Sequence, residues 1–261
     1  VGAIKKKARR YFKDATTFAS APAGWTHAAH IEIGDRFFVQ PVTRYAGYGA
    51  IACEALATIM GYFLAEGSFC YNGDKACTTQ FTCHLDDSAV RRIPQIMSRL
   101  WPDVTVDISP HPDSDESVVL SIHSTRFSEF LRSQLGSGVR RKLIPPEIFN
   151  ADREVKLAFL GAWLDGDGWL DKKGGHWSTV SPSLVLQGRD LLLSIGIVAS
   201  IYKIDHAKCA TSGQPGSGIE YTLNVSHIDT WQFAGSSWKA AEYPIPSASR
   251  TKPGCLRLCP D

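Results

Sequence analysis

Two carboxylates stand at matching ends of two apolar runs. Residues 56–67 read LATIMGYFLAEG and residues 157–168 read LAFLGAWLDGDG. Each run closes on an acid followed by glycine, and the two acids, Glu66 and Asp167, are 101 residues apart. Placing a carboxylate at the edge of an apolar helix is costly. At a helix C-terminus it also meets the negative end of the macrodipole, and a second carboxylate beside it adds repulsion. A hard divalent ion that prefers oxygen ligands relieves both penalties, and Mg²⁺ is the natural candidate. Two acids sharing or flanking such an ion suit hydrolysis of a phosphodiester, where the metal activates water and stabilises the leaving oxygen.

The elements that carry these acids must bring them together. Aligning Glu66 with Asp167 also aligns Ala57 with Ala158, Gly61 with Ala162, and Ala65 with Gly166. A stripe of small residues at i, i+4 and i+8 on both helices lets two backbones approach closely, with the larger residues packing outward. Simple helix packing accounts for the small residues; it does not account for an acid at the end of each stripe.

The flanking segments repeat as well. After Gly67 a strand is predicted over 69–72, a hairpin turn at Asn72-Gly73-Asp74, and a return strand over 76–85. In that strand Phe81, Cys83 and Leu85 alternate with Gln80, Thr82 and His84, giving an apolar and a polar face. Asp86-Asp87-Ser88 offers a cap for a helix through Trp101 that contains Pro94. Strands are predicted over 104–108 and 118–123, then a helix capped by Ser124 or Thr125 and stopped by Gly136. The second half repeats the order: a turn at 172–175, a strand over 176–180, a helix over 182–195, strands over 198–204 and 221–225, and a helix over 228–233. A Gly/Ser/Pro-rich loop at 210–218 interrupts the last strand pair. The fold class is therefore α+β, built from a duplicated αββαββα unit. The boundaries read as an N-terminal extension 1–50, a first half 51–150, a second half 151–246 and a tail 247–261.

Composition excludes little, but it fits. At 261 residues, with 44% hydrophobic and 21% charged residues, the chain is ordinary for a globular protein with ample core. No apolar run approaches the ~18–20 residues that cross a bilayer, and Val1–Lys7 holds no secretion-signal core. An intracellular protein, cytoplasmic or nucleoid-associated, is expected. The missing initiator Met marks a candidate segment of a longer protein. A net charge of +2 is compatible with nucleic acid without demonstrating it. The seven cysteines are odd in number and lack zinc spacing, which suits reduced thiols; a Cys255–Cys259 bridge is the open alternative.

Together the two motifs resemble those of the LAGLIDADG homing endonucleases, most closely the monomeric two-motif (DOD) kind found inside inteins. Lys142-Leu143-Ile144-Pro145 resembles the K-x-I-P element that precedes the second motif in that kind. The resemblance covers residues 50–246. It implies two saddle-shaped antiparallel sheets straddling double-stranded DNA, with the motif helices as a central two-helix interface. It further implies divalent-metal-dependent cleavage of both strands across the minor groove of a long asymmetric site, by a monomer with pseudo-twofold symmetry. Mg²⁺ is the implied cofactor, with Mn²⁺ able to substitute, and no small-molecule substrate or membrane is involved. Glu66 and Asp167 become the metal ligands. Lys142 resembles the family's active-site lysine, which organises water or stabilises developing charge. For the second half Lys239, before Tyr243-Pro244-Ile245-Pro246, and Lys203, on the 198–204 strand, compete for that role.

In sheets that ride the major groove, the polar strand face reads base edges. Gln80, Thr82 and His84 are the first-half candidates, with Ser121 and His123 behind them. Lys173, His176, Trp177 and Thr179 fall in the corresponding second-half region. Arg140 and Arg141 are expected on phosphates, which position without specifying sequence. Upstream, Gly24-Trp25 and Ile33–Pro41 resemble a turn and strand at the end of the first half of an intein splicing domain. With no Cys or Ser at position 1 and no terminal His-Asn, self-splicing is not expected. The reading from another functional class is a catalytically silent nucleic-acid-binding protein on the same scaffold, a maturase or regulator. A hydrolase of small phosphates would need a phosphate-cradling Gly-rich loop, which the chain lacks.

Overall fold

A computed structural model describes residues 46, 48–206 and 218–241, together with strands β1 (Gly2–Ile4), β2 (Gly24–Trp25) and β3 (Arg36–Phe37). The chain divides into two compact units, residues 1–41 with 246–261, and residues 42–245. In the first unit β1 pairs antiparallel with both β2 and β3. Gly24-Trp25, read from sequence as a turn, is a strand paired to Gly2 and Ala3. Cys209, Cys255, Cys259, residues 243–246 and all of the 210–218 loop but Gly218 lie outside the described residues.

The second unit holds both halves of the repeat. Its first half runs α1 (Glu54–Glu66), β4 (Gly67–Asn72), β5 (Lys75–His84), α2 (Ser88–Leu100), β6 (Val106–His111), β7 (Ser114–Ile122) and α3 (Thr125–Leu135). A short helix α4 (Pro146–Phe149) precedes α5 (Arg153–Asp167), β8 (Gly168–Asp171), β9 (Gly174–Thr179), α6 (Pro182–Ser194), β10 (Ala199–Asp205), β11 (Ile219–Ser226) and α7 (His227–Thr230). A 3₁₀ turn at Trp231–Phe233 and α8 (Trp238–Ala241) follow. The element order is the duplicated αββαββα order of the sequence reading. Both sheets are four-stranded and antiparallel with the same internal order, β4-β5-β7-β6 and β8-β9-β11-β10. Register repeats too: Gly67 faces Phe81 as Gly168 faces Trp177.

Local chemistry explains the boundaries. Ser124 caps α3, its hydroxyl accepting from Phe127 N at 3.3 Å, and the helix stops at Gly136. Asp87 occupies the N-cap position of α2, yet its carboxylate accepts from His84 N at 2.9 Å instead of capping. Pro94 sits inside α2 at the loss of one backbone donor. Leu85 departs from the expected apolar face: β5 ends at His84 and Leu85 is 51% exposed. Strand β7 starts four residues earlier than expected, because Ser114–Ser117 continue the ladder beyond its apolar stretch.

The motif helices form the middle of the core. Residues 57–64 of α1 are buried on every side, as are 158–165 of α5, the pattern of helices enclosed by protein. One continuous apolar cluster runs from Ile93, Met97 and Phe127 in the first half, through the helix pair, to Trp177, Leu191 and Phe233 in the second. The four described cysteines, Cys53, Cys70, Cys77 and Cys83, are free thiols.

Candidate active site

The small-residue stripes do bring the helices into contact. A Cβ on Gly61 would lie 2.2 Å from Phe159 O and 2.9 Å from the Ala162 Cβ. A Cβ on Gly166 would lie 2.3 Å from that of Ala65 and 3.6 Å from Glu66 Oε1. Both glycines are required by close backbone approach, which leaves no room even for alanine. Because the crossing is this tight, the acids that end the two helices are neighbours.

Their electrostatics follow from that placement. Burial pushes the Glu66 carboxyl up to about 7, and the neighbouring Asp167 pushes it further in the same direction. Burial likewise raises Asp167 to about 6, against the pull of Lys142 and Lys239. These are acids that a cation would hold ionised.

Lys142 lies on the loop after α3 and is 7% exposed. Its ammonium donates to Phe63 O at 2.7 Å and Leu64 O at 2.9 Å, the terminal carbonyls of α1. Burial lowers its pKa to about 8, although Asp167 and Glu66 oppose the fall. Lys239, in α8, does the same for α5. Its ammonium donates to Gly168 O at 2.7 Å and Leu164 O at 3.4 Å, and burial lowers its pKa. Since Leu164 is the repeat equivalent of Phe63, Lys239 is the counterpart of Lys142. Lys203 is exposed on β10. Each acid is thus flanked by a lysine that donates to carbonyls where its own helix ends, the negative end of the dipole.

A hard divalent ion fits this donor set. The two carboxylates are oxygen donors held side by side in a desolvated site whose penalty Lys142 and Lys239 offset only in part. Among the described residues no cluster of three or more His, Cys, Asp or Glu forms a site. Glu66 and Asp167 would hold the ion, and the remaining positions fall to water and substrate oxygens.

The outer sheet faces hold most of the expected DNA-reading residues. Strand parity puts Gln80, Thr82 and His84 on the face opposite Phe81 and Cys83. Gln80 Nε2 donates to Ser121 Oγ at 3.2 Å, and His84 lies 3.8 Å from both Asp86 and Glu116. His123 meets Asp107 at 3.2 Å. Arg140, Arg141 and Lys173 are exposed, the first two on the Lys142 loop and the third at the β8–β9 turn. Trp177 is a correction. It is fully buried and its indole N–H donates to Leu160 O at 3.0 Å. Its ladder position equals that of Phe81, so it belongs to the core; a strand carrying both His and Trp does not reveal its inner face by polarity alone. Thr179 shares that inward parity, and its hydroxyl accepts from Ser181 N at 3.2 Å.

The outward positions of the second sheet include the expected His176, which is buried, together with Ser178, Asn224, Tyr202 and Trp169. His176 stacks on Trp169 with ring centroids 4.9 Å apart and bonds Asn224 Oδ1 at 2.5 Å and Asp171 Oδ1 at 3.0 Å. Sequence reasoning also missed Asp165, a carboxylate 2% exposed inside α5. Its signal was visible as an acid in an apolar run whose counterpart in the first run is Leu64.

Comparison with known proteins agrees with this geometry. Residues 154–235 match the family model described as a LAGLIDADG-like domain. The chain is 30% identical over 155 residues to the ATP-dependent DNA helicase Hel308 of Thermococcus kodakarensis, a match covering 56% of this chain and 13% of the helicase. It is 27% identical over 183 residues to the replication factor C small subunit of Methanocaldococcus jannaschii, covering 68% of this chain and 9% of that protein. The chain therefore spans only a small fraction of these relatives. Among solved structures, the homing endonuclease I-DmoI in complex with its nicked target DNA and manganese superposes with a TM-score of 0.52 at 16% identity. That superposition covers 73% of this chain and 98% of I-DmoI. Residues 154–235 carry the match to a LAGLIDADG-like domain, and the chain has the duplicated LAGLIDADG fold seen in the homing endonuclease I-DmoI.

Proposed function

We propose that the chain is a site-specific endonuclease that hydrolyses both strands of a long, asymmetric double-stranded DNA site with a divalent metal, Mg²⁺ or Mn²⁺. The observation that carries this reading is the doubled constellation: two adjoining carboxylates, each beside a lysine bound to the end of its own helix, Lys142 buried and Lys239 half-buried.

The residues divide the work. Glu66 and Asp167 hold the cation, which when bound supplies an activated water and charge compensation for the leaving oxygen. Lys142 and Lys239 are held by helix carbonyls within reach of the acids' field, where an ammonium favours charge that develops on a phosphate. The outward faces of both sheets present the base-reading groups, Gln80, Thr82 and His84 on one side and Ser178 and Asn224 on the other. Arg140, Arg141 and Lys173 take phosphates. One chain supplies both halves, so a monomer suffices. The recurrence of this segment as 13% of a helicase and 9% of a replication factor subunit supports an element embedded in unrelated hosts, as an intein-borne nuclease is. Acting on DNA, it works inside the cell.

Incubating the protein and Mg²⁺ with a host-derived or random DNA library, then sequencing the new ends, tests the reading. Discrete paired cuts that vanish in Asp167→Asn are expected. Binding without cutting over a panel of divalent metals would instead establish the catalytically silent DNA-binding protein.

A further inference from the structure

The buried carboxylate of Asp165 is the most heavily partnered polar group of the described core, and neither the acids' nor the lysines' roles account for it. Its Oδ1 accepts from Ser237 Oγ at 2.5 Å and from Lys239 N at 3.4 Å, and its Oδ2 from Trp238 N at 3.3 Å. These three donors all belong to the segment that carries Lys239. From the other side, Oδ2 accepts from Tyr62 Oη at 3.2 Å, Arg92 Nη1 at 3.4 Å and Ser88 Oγ at 3.5 Å. Those three belong to α1 and α2 of the first half. Arg92 Nη1 reaches the same segment a second time, donating to Ser236 O at 3.1 Å.

The first half has no such device. Leu64 stands at the equivalent position, and the Lys142 loop is tied down differently. There Ile144 N donates to Gln187 Oε1 at 3.0 Å and Ser181 Oγ to Arg140 O at 3.4 Å, both partners coming from the second half. Each lysine-bearing segment is thus anchored across the interface, but only the second through a buried charge. A buried carboxylate with its hydrogen bonds filled on several sides defines one geometry strongly, because breaking any partner leaves charge unpaired.

We infer that Asp165 is a positioning residue: it fixes the backbone from which Lys239 reaches the end of α5, and through Arg92 it makes that placement depend on the first half. The catalytic consequence rests on the endonuclease reading; the placement itself does not. Loss of Asp165 frees the Lys239 ammonium while Lys142 stays where it is, so the two active centres are affected unequally.

The experiment labels surface amines of the intact chain with an acetylating reagent and follows Lys239 against Lys142 by mass spectrometry. In the wild type both are protected. In Asp165→Ala, Lys239 is expected to react severalfold faster with Lys142 unchanged, and Asp165→Asn, whose one oxygen still accepts from Ser237 Oγ and Lys239 N, restores protection at least in part. On cleaved DNA the Ala variant accumulates a nicked product, with one strand slowed by about 10- to 100-fold as for other outer-shell partners of a metal site. A purely stabilising ion pair would slow both strands alike. If Asp165→Ala does not fold, Ser237→Ala removes the 2.5 Å hydrogen bond without orphaning a charge and carries the same expectation for Lys239. Equal labelling of Lys239 in wild type and in the folded Ala variants, or an Asn variant as reactive as Ala, overturns the inference. A wild-type protein that protects Lys239 as expected but cuts no DNA overturns the endonuclease reading and leaves the placement standing.

Discussion

At the scale of single residues, Glu66 and Asp167 carry a measurable penalty for being ionised without a cation. Burial raises them from ordinary values of 4.5 and 3.8 to about 7 and about 6. An acid whose pKa rises on folding stabilises the fold below its unfolded value, and that contribution is lost as the pH climbs through the folded value. Metal-free wild type is therefore expected to lose stability from these two groups between about pH 4 and pH 7. The double variant Glu66→Gln, Asp167→Asn lacks this titration. Thermal melts without metal predict Tm values that coincide near pH 4 and a variant that melts higher at pH 8, where added Mg²⁺ stabilises only the wild type. A Tm difference that stays constant across that range would show that the two acids are not strained by burial.

At the scale of elements, the helix pair is set by backbone approach rather than by side-chain area. Gly61→Val places a branched side chain where even a Cβ would lie 2.2 Å from Phe159 O. Forcing the helices apart is expected to cost at least about 1–3 kcal/mol, read as a lower urea midpoint; an unchanged midpoint would mean the helices do not cross there. These features were legible in sequence because they are local. The small stripe recurs every four residues, Ser124 and Gly136 bracket α3, and strict alternation marks β5. What escaped was set by pairing at a distance. Trp177 is inward only because its register against Gly168 repeats that of Phe81 against Gly67. Asp165 finds partners 72 to 103 residues away in sequence, which no local pattern displays. Lys239 was distinguished from Lys203 only by which helix end its ammonium reaches.

At the scale of the whole molecule, the halves share a fold but not a surface chemistry. By strand parity the outward sheet faces carry His, Ser, Thr, Asn and Gln, with Asp107, Asp171 and Glu220 among them and no Lys or Arg at the described mid-strand positions. Exposed cations on the Lys142 loop and the β8–β9 turn are Arg140, Arg141, Lys172 and Lys173. If these four take the phosphates, log affinity against log salt should fall with a slope of about −4. Fluorescence anisotropy on the cleaved site across a salt series measures it, and a slope near −8 would place the DNA on surfaces other than these.

Both strands are proposed to be cut with the metal that Glu66 and Asp167 hold together, each strand beside its own lysine. Strand-resolved cleavage of a selected site by wild type, Glu66→Gln and Asp167→Asn, with Mg²⁺ supplied throughout, tests it most directly. The wild type should cut both strands, and each variant should lose double-strand cleavage by at least about 100-fold, the upper end of what losing an outer-shell partner of a metal site costs. Double-strand cutting by Asp167→Asn at the wild-type rate would contradict the account.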